Sequence, residues 1–171
     1  LVSGPRATLP TRDAVLELLD AVKDPEVPVL SVRELGIVRD VAVDPAGAVT
    51  VTLTPTYSGC PAMHVIEDDI RAALAGAGIA TVHIATVYAP AWTSDWIPDA
   101  ARAKLKAYGI APPAPAEQGA LVQLVRAHRA PPCPYCDSPD TEIRSEFGST
   151  ACKSICWCRS CGQPFEEFKA I

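Results

Sequence analysis

Two cysteine pairs, Cys133-x2-Cys136 and Cys158-x2-Cys161, carry the strongest chemical signal in the chain. Each has the spacing of a metal knuckle, a short turn that aims two sulfurs at one point. Together they offer four thiolates, a donor set that suits Zn²⁺ because that ion has no d-electron geometric preference. A four-thiolate iron site or cluster uses the same spacing, so zinc is the expectation and iron its rival. Ser138 and Gly162 stand after the knuckles as turn formers. Cys152 and Cys156 lie between the pairs as alternate candidate ligands. Their plainer reading is as small buried hydrophobes. A redox or metal-transfer role is the other, with Lys153 placed to favour a thiolate at Cys152.

The seventh cysteine, Cys60, sits apart in Pro55-Thr56-Tyr57-Ser58-Gly59-Cys60-Pro61. If a helix begins at Pro61, Cys60 takes its cap position, where unpaired N–H groups and the helix dipole favour an anion. A thiol there is expected to have a depressed pKa and to act as a nucleophile or metal ligand. A buried structural cysteine is the alternative. His64 follows one turn later, within reach of the same ion or proton, although a solvated surface histidine is the simpler expectation. Asp24 and Glu26 are placed to aim carboxylates at this loop, or merely to end a helix and make a turn. His83 and His128 are assigned no role.

These residues need elements to position them. Thr11 caps a helix with Val15, Leu18, Leu19 and Val22 on one face, and Pro25 is expected to stop it. Ile37–Val43 and Ala48–Thr54 read as strands joined across Asp44-Pro45-Ala46-Gly47. A second helix runs from Pro61 to about Gly76, burying Met63, Ile66, Ile70 and Leu74. Thr81–Tyr88 is a third strand, parallel to the second if the two are neighbours. A third helix spans roughly Pro98–Tyr108 and ends at Gly109. The fold class is therefore α+β: a small two-layer sandwich of order αββαβα, followed by a four-cysteine ribbon. The proline-rich stretch from Ala111 to Ala116 marks the expected boundary. It gives a domain at 1–111, a linker with a lead-in strand near Leu121–Val125 at 112–132, and a ribbon at 133–171.

Composition excludes several classes. A net charge of −5 argues against general affinity for nucleic acid or anionic membrane. The ribbon itself is acidic: Arg144, Lys153, Arg159 and Lys169 face Asp137, Asp140, Glu142, Glu146, Glu166 and Glu167. Phe165 and Phe168 are expected to complete its core or dock on a protein. The apolar stretch Ala75–Ala91 is broken by Gly76, Gly78, His83 and Pro90, so it does not read as a membrane span. Leu1–Pro10 lacks the features of a secretory signal. An odd number of cysteines in knuckle spacing fits a reducing compartment, and the expected location is cytoplasmic.

The same residues resemble known proteins. Asp24-Pro25-Glu26-Val27-Pro28-Val29, Leu35-Gly36-Ile37-Val38 and the Pro55–Pro61 motif resemble the SufT-type iron–sulfur assembly domain. Ala91–Trp96, Tyr108–Pro113, Phe147–Lys153 and Pro164–Lys169 narrow the resemblance to the PaaD family, accessory proteins of the phenylacetyl-CoA epoxidase (ring monooxygenase) system of phenylacetate degradation. The resemblance implies a non-enzymatic helper that assists iron–sulfur or di-iron maturation. Its implied clients are the epoxidase's reductase, with flavin and an iron–sulfur cluster, or its di-iron oxygenase subunits. It assigns the reactive cysteine to Cys60, the acidic turn to Asp24 and Glu26, and the ribbon ligands to Cys133, Cys136, Cys158 and Cys161. The implied cofactors are zinc and a transient iron ion or cluster. Two rivals from the residues alone are a Cys60-dependent thiol enzyme and a ribbon that docks nucleic acid or protein.

Overall fold

The computed structural model describes residues 9–114 and 129–170. The expected strand at Leu121–Val125, His128 and most of the expected linker lie outside the described residues. The chain forms two compact units, Leu1–Pro90 and Ala91–Ile171.

In the first unit, helix α1 (Arg12–Leu19) begins at Thr11, whose hydroxyl accepts the Ala14 N–H at 3.2 Å. It buries Val15 and Leu19. The helix stops at Leu19, well before Pro25, and Arg33 supplies the reason. Its guanidinium donates to the Leu16 carbonyl at 2.9 Å and to the Asp20 carboxylate, satisfying the helix end from outside. Strand β1 (Val38–Val43) pairs antiparallel with β2 (Val49–Leu53) across a turn in which Gly47 adopts a φ of +84°. Helix α2 (Ala62–Gly76) then crosses to β3 (Val82–Thr86).

Strand β3 lies parallel beside β2, in a register from Val49↔Val82 to Leu53↔Thr86, and the sheet order is β1-β2-β3. Val49, Val51 and Leu53 of β2 are fully buried, as are Ile66, Ile70 and Leu74 of α2. This is the two-layer packing that the 2-residue and 3.6-residue periodicities require. The third strand is shorter than the expected Thr81–Tyr88, and Tyr88 lies beyond its end, 60% exposed.

In the second unit, Ser94–Trp96 forms one 3₁₀ turn ahead of helix α3 (Asp99–Tyr108). Arg102 ties the two together by donating to the carbonyls of Ile97 at 3.1 Å and Ser94 at 2.8 Å. Gly109 ends α3 in the left-handed conformation, φ +95°. Strand β4 (Ile110–Ala111) follows, then β5 (Thr141–Ser145), β6 (Lys153–Cys158) and β7 (Pro164–Phe168). The four strands make one sheet in the order β4-β7-β6-β5. Strand β4 runs parallel to β7, pairing Ile110 with Glu166 and Ala111 with Glu167. This pairing explains why the compact units divide at Pro90 rather than at the proline-rich stretch. Trp92 packs on Phe168 with ring centroids 6.0 Å apart, and Phe165 and Phe168 are both buried.

Candidate metal centre and the Cys60 loop

The two knuckles are built alike. In the first, the Asp137 N–H donates to the Cys133 carbonyl at 2.9 Å; in the second, the Gly162 N–H donates to the Cys158 carbonyl at 3.0 Å. The donor residue has positive φ in both, 58° at Asp137 and 71° at Gly162. That left-handed residue reverses the chain so that both cysteines of a pair point the same way. Ser138 of the first knuckle meets Ser160 of the second, Oγ to Oγ at 2.6 Å.

The structure brings the Sγ atoms of Cys133, Cys136, Cys158 and Cys161 within 4.8 Å of one another. Two contacts across the knuckles are 3.7 Å (Cys133–Cys161) and 3.6 Å (Cys136–Cys158). Sulfurs held about 2.3 Å from one central ion in a tetrahedron stand about 3.8 Å apart, so the cluster has the dimensions of a four-thiolate zinc site. Electrostatics within the cluster point the same way. The Cys161 N–H draws the Cys158 thiol down to about 7 against the opposing effect of burial. At Cys136 the Ser138 N–H pulls downward, but burial and the neighbouring thiols outweigh it and push the value up to about 12. Four thiolates brought this close repel one another, and a divalent cation would supply the charge that holds them together.

Cys152 and Cys156 fall outside this group of four and are both buried. Cys156 packs in the ribbon core with Ala111, Cys133, Cys158 and Phe165. Burial pushes its thiol up to about 11. The Cys152 sulfur lies 3.1 Å from the Thr150 hydroxyl. Lys153 serves a different partner from the one its sequence position indicates. Its ammonium is buried and sits 3.0 Å from Glu166.

Cys60 lies at the entry to α2, half-buried and one residue earlier than expected, because Pro61 takes the cap position. Its thiol is pushed up, not down. Burial is the largest cause, and the charge of Asp24 adds to it. The Ala62 and Met63 N–H groups and the Thr56 side chain hydrogen-bond to the sulfur and pull the other way without prevailing. Asp24 therefore lies near enough to Cys60 for its charge to act on the thiol. It is also structural: its Oδ1 accepts from the N–H groups of Glu26 at 2.8 Å and Val27 at 2.9 Å. Glu26, His64 and His83 are exposed. Thr56, which the sequence reading does not single out, is buried and hydrogen-bonded to Cys60; its signal is a hydroxyl four residues before the cysteine in a turn.

Comparison with known proteins matches two parts of the chain to known families. Residues 12–84 match the family described as iron–sulfur cluster assembly protein, and residues 117–169 match the PaaD zinc beta ribbon domain. A protein of Escherichia coli (strain K12), named as one of the subunits of a "Putative 1,2-phenylacetyl-CoA epoxidase", is 44% identical over 156 residues, covering 90% of each chain. An Fe–S protein maturation auxiliary factor of Porphyromonas gingivalis is 36% identical over 98 residues, covering 57% of this chain and 92% of its own. The crystal structure of a DUF59 domain from Bacillus anthracis superimposes with a TM-score of 0.52 at 27% identity, covering 55% of this chain and 90% of that one.

Fold and site thus define an iron–sulfur-assembly-type α+β domain followed by a four-cysteine zinc ribbon. The chain belongs to the PaaD family, together with the epoxidase-system protein of Escherichia coli. Among the described residues, no helix is long and apolar enough to cross a membrane.

Proposed function

We propose that this chain is a non-catalytic accessory factor, acting in the cytoplasm, for maturation of the iron–sulfur or di-iron centres of the phenylacetyl-CoA epoxidase system. The observation that carries the reading is Cys60, half-buried at the entry to α2 with Asp24 and Thr56 beside it, in a fold shared with iron–sulfur maturation factors. Cys60 is the transient ligand for an iron ion or cluster edge. Asp24 contributes negative charge, and Glu26 stands at the exposed rim of the same turn. A protonated thiol beside a carboxylate is a poor resting nucleophile but a serviceable soft ligand, because an arriving cation displaces the proton. The raised thiol pKa therefore supports ligation over thiol catalysis.

Cys133, Cys136, Cys158 and Cys161 hold a structural zinc. The ion supplies folding energy to a unit whose core is small. The clients are proteins: the epoxidase's reductase, with its flavin and iron–sulfur cluster, or its di-iron oxygenase subunits. The test is a Cys60→Ser chain expressed in cells that depend on the epoxidase. The variant is expected to fold and keep zinc, while the reductase or oxygenase is recovered short of iron and growth on phenylacetate fails. Normal growth with a fully metallated client would make Cys60 structural and remove the basis of this reading.

A further inference from the structure

Residues 85–116 fall between the two family matches, which end at 84 and resume at 117. Most of that stretch is nevertheless built into the second unit. Strand β4 is only two residues long, and its pairing is with β7 of the ribbon. Trp92, 4% exposed, packs on Phe168, 1% exposed, at the end of the same β7. The left-handed turn at Gly109 lies under the ring of Tyr135: a Cβ placed on Gly109 would stand 2.7 Å from the Tyr135 hydroxyl. Lys106, in the last turn of α3, pairs with Asp137. Tyr135 and Asp137 are both residues of the first knuckle, one between its cysteines and one just after them.

Neither α3 nor β4 has the means to persist alone. An isolated helix shorter than about 12–15 residues is marginal in water, and α3 has 10. A two-residue strand exists only by virtue of its neighbour. Ala101 and Leu105, the fully buried positions of α3, need a surface to cover them. The ribbon strands that provide β4 with its partner, and the knuckle that holds the end of α3, take their shape from the four cysteines. An ion at those cysteines fixes the first knuckle, and with it the positions of Tyr135 and Asp137.

We propose that the ion held by Cys133, Cys136, Cys158 and Cys161 governs residues Ala91–Ala111 as well as the ribbon, so that α3 and β4 are folded when the site is loaded and released when it is empty. The proposal rests on the metal assignment made above and extends it to a segment that neither family match includes. The four-cysteine site is then a switch for a helix, not only a staple for its own strands.

Amide hydrogen exchange on the full-length chain tests it. One sample carries one zinc per chain; the other is stripped with a chelator under reducing conditions, and zinc is measured in both. Removal of zinc is expected to abolish protection in Asp99–Ala111 together with β6 and β7, while α2 keeps its own. Retained protection in Asp99–Ala111 after β6 and β7 have lost theirs would overturn the coupling alone. A chain that binds no zinc, or a ribbon equally protected without it, would overturn the metal assignment and the coupling with it. Tyr135→Ala separates the knuckle contact from general unfolding. It is expected to keep full zinc and lose protection only in Lys106–Ala111; unchanged protection there would exclude the knuckle as the transmitting contact and overturn the proposal.

Discussion

Gly109→Ala is a sharp test of how the second unit is held together. Gly109 sits at φ +95°, and its added methyl would meet Tyr135 at 2.7 Å from the hydroxyl and 3.0 Å from Cε1. Two separable costs follow. Placing an L-residue with a Cβ in the left-handed region costs about 1–2 kcal/mol. Forcing the tyrosine away adds about 1 kcal/mol, the low end for overpacking, because Tyr135 is 57% exposed. The sum is about 2–3 kcal/mol. In a Tyr135→Ala background the steric part disappears, and the same substitution should cost only about 1–2 kcal/mol. Urea unfolding of the zinc-loaded chain, followed by tryptophan emission, isolates the right transition, since Trp92, Trp96 and Trp157 all belong to the second unit. Equal costs in the two backgrounds would refute the close approach of Tyr135. A cost below about 0.5 kcal/mol in both would refute the left-handed turn as well.

Other outcomes follow from the two sites. The purified chain should carry one zinc, and Cys158→Ser should lose it and unfold the second unit, because structural zinc contributes on the order of 10 kcal/mol in small units; elemental analysis and tryptophan emission report both. Alkylation of Cys60 should rise with pH through an inflection above the ordinary thiol value, since burial and Asp24 disfavour the thiolate; an inflection below that value would restore the activated-nucleophile reading. Burial works against the Glu166 carboxylate, but the Ser149 N–H and the Lys153 ammonium outweigh it and hold its pKa below the ordinary value. A lowered carboxylate stabilises fully above its unfolded pKa and loses the effect as pH falls through the folded one. The second unit should therefore gain acid sensitivity below about pH 4.3 that Glu166→Gln removes, measured by melting temperature against pH.

Much of the fold was legible because periodicity and punctuation agree. Strand β2 falls inside the expected Ala48–Thr54, and the spacing of Met63, Ile66, Ile70 and Leu74 gave the buried face of α2. Parallel pairing of β2 and β3 followed from the intervening helix. Errors fell where a distant partner overrides local sequence. Proline was expected to end α1, but Arg33 ends it earlier from across the unit. Strand β4, just before the proline-rich stretch, pairs with β7, and no local pattern signals a strand that short. For the site, the knuckle spacing identified which sulfurs converge, because the turn geometry is local. The direction of the Cys60 pKa was missed because burial and the approach of Asp24 are products of tertiary packing. Lys153 was read with its chain neighbour Cys152, whereas β-pairing gives its ammonium to Glu166 on the adjacent strand.

The two knuckles also differ at one position in a way that has a consequence for how the sequence could drift. Gly162 occupies its left-handed turn without penalty, whereas Asp137 does the same work with a side chain, at a conformational cost of about 1 kcal/mol. What Asp137 offers in exchange is an exposed pairing with Lys106, an interaction whose typical value is about 0.2–1 kcal/mol. The two nearly cancel, so Asp137→Gly would leave the unit about as stable as before. An aspartate at this place is neutral for stability and informative for geometry: its carboxylate marks which way the end of the helix must face. Homologous chains with glycine here would be expected to hold their metal equally well while holding the preceding helix less firmly in register.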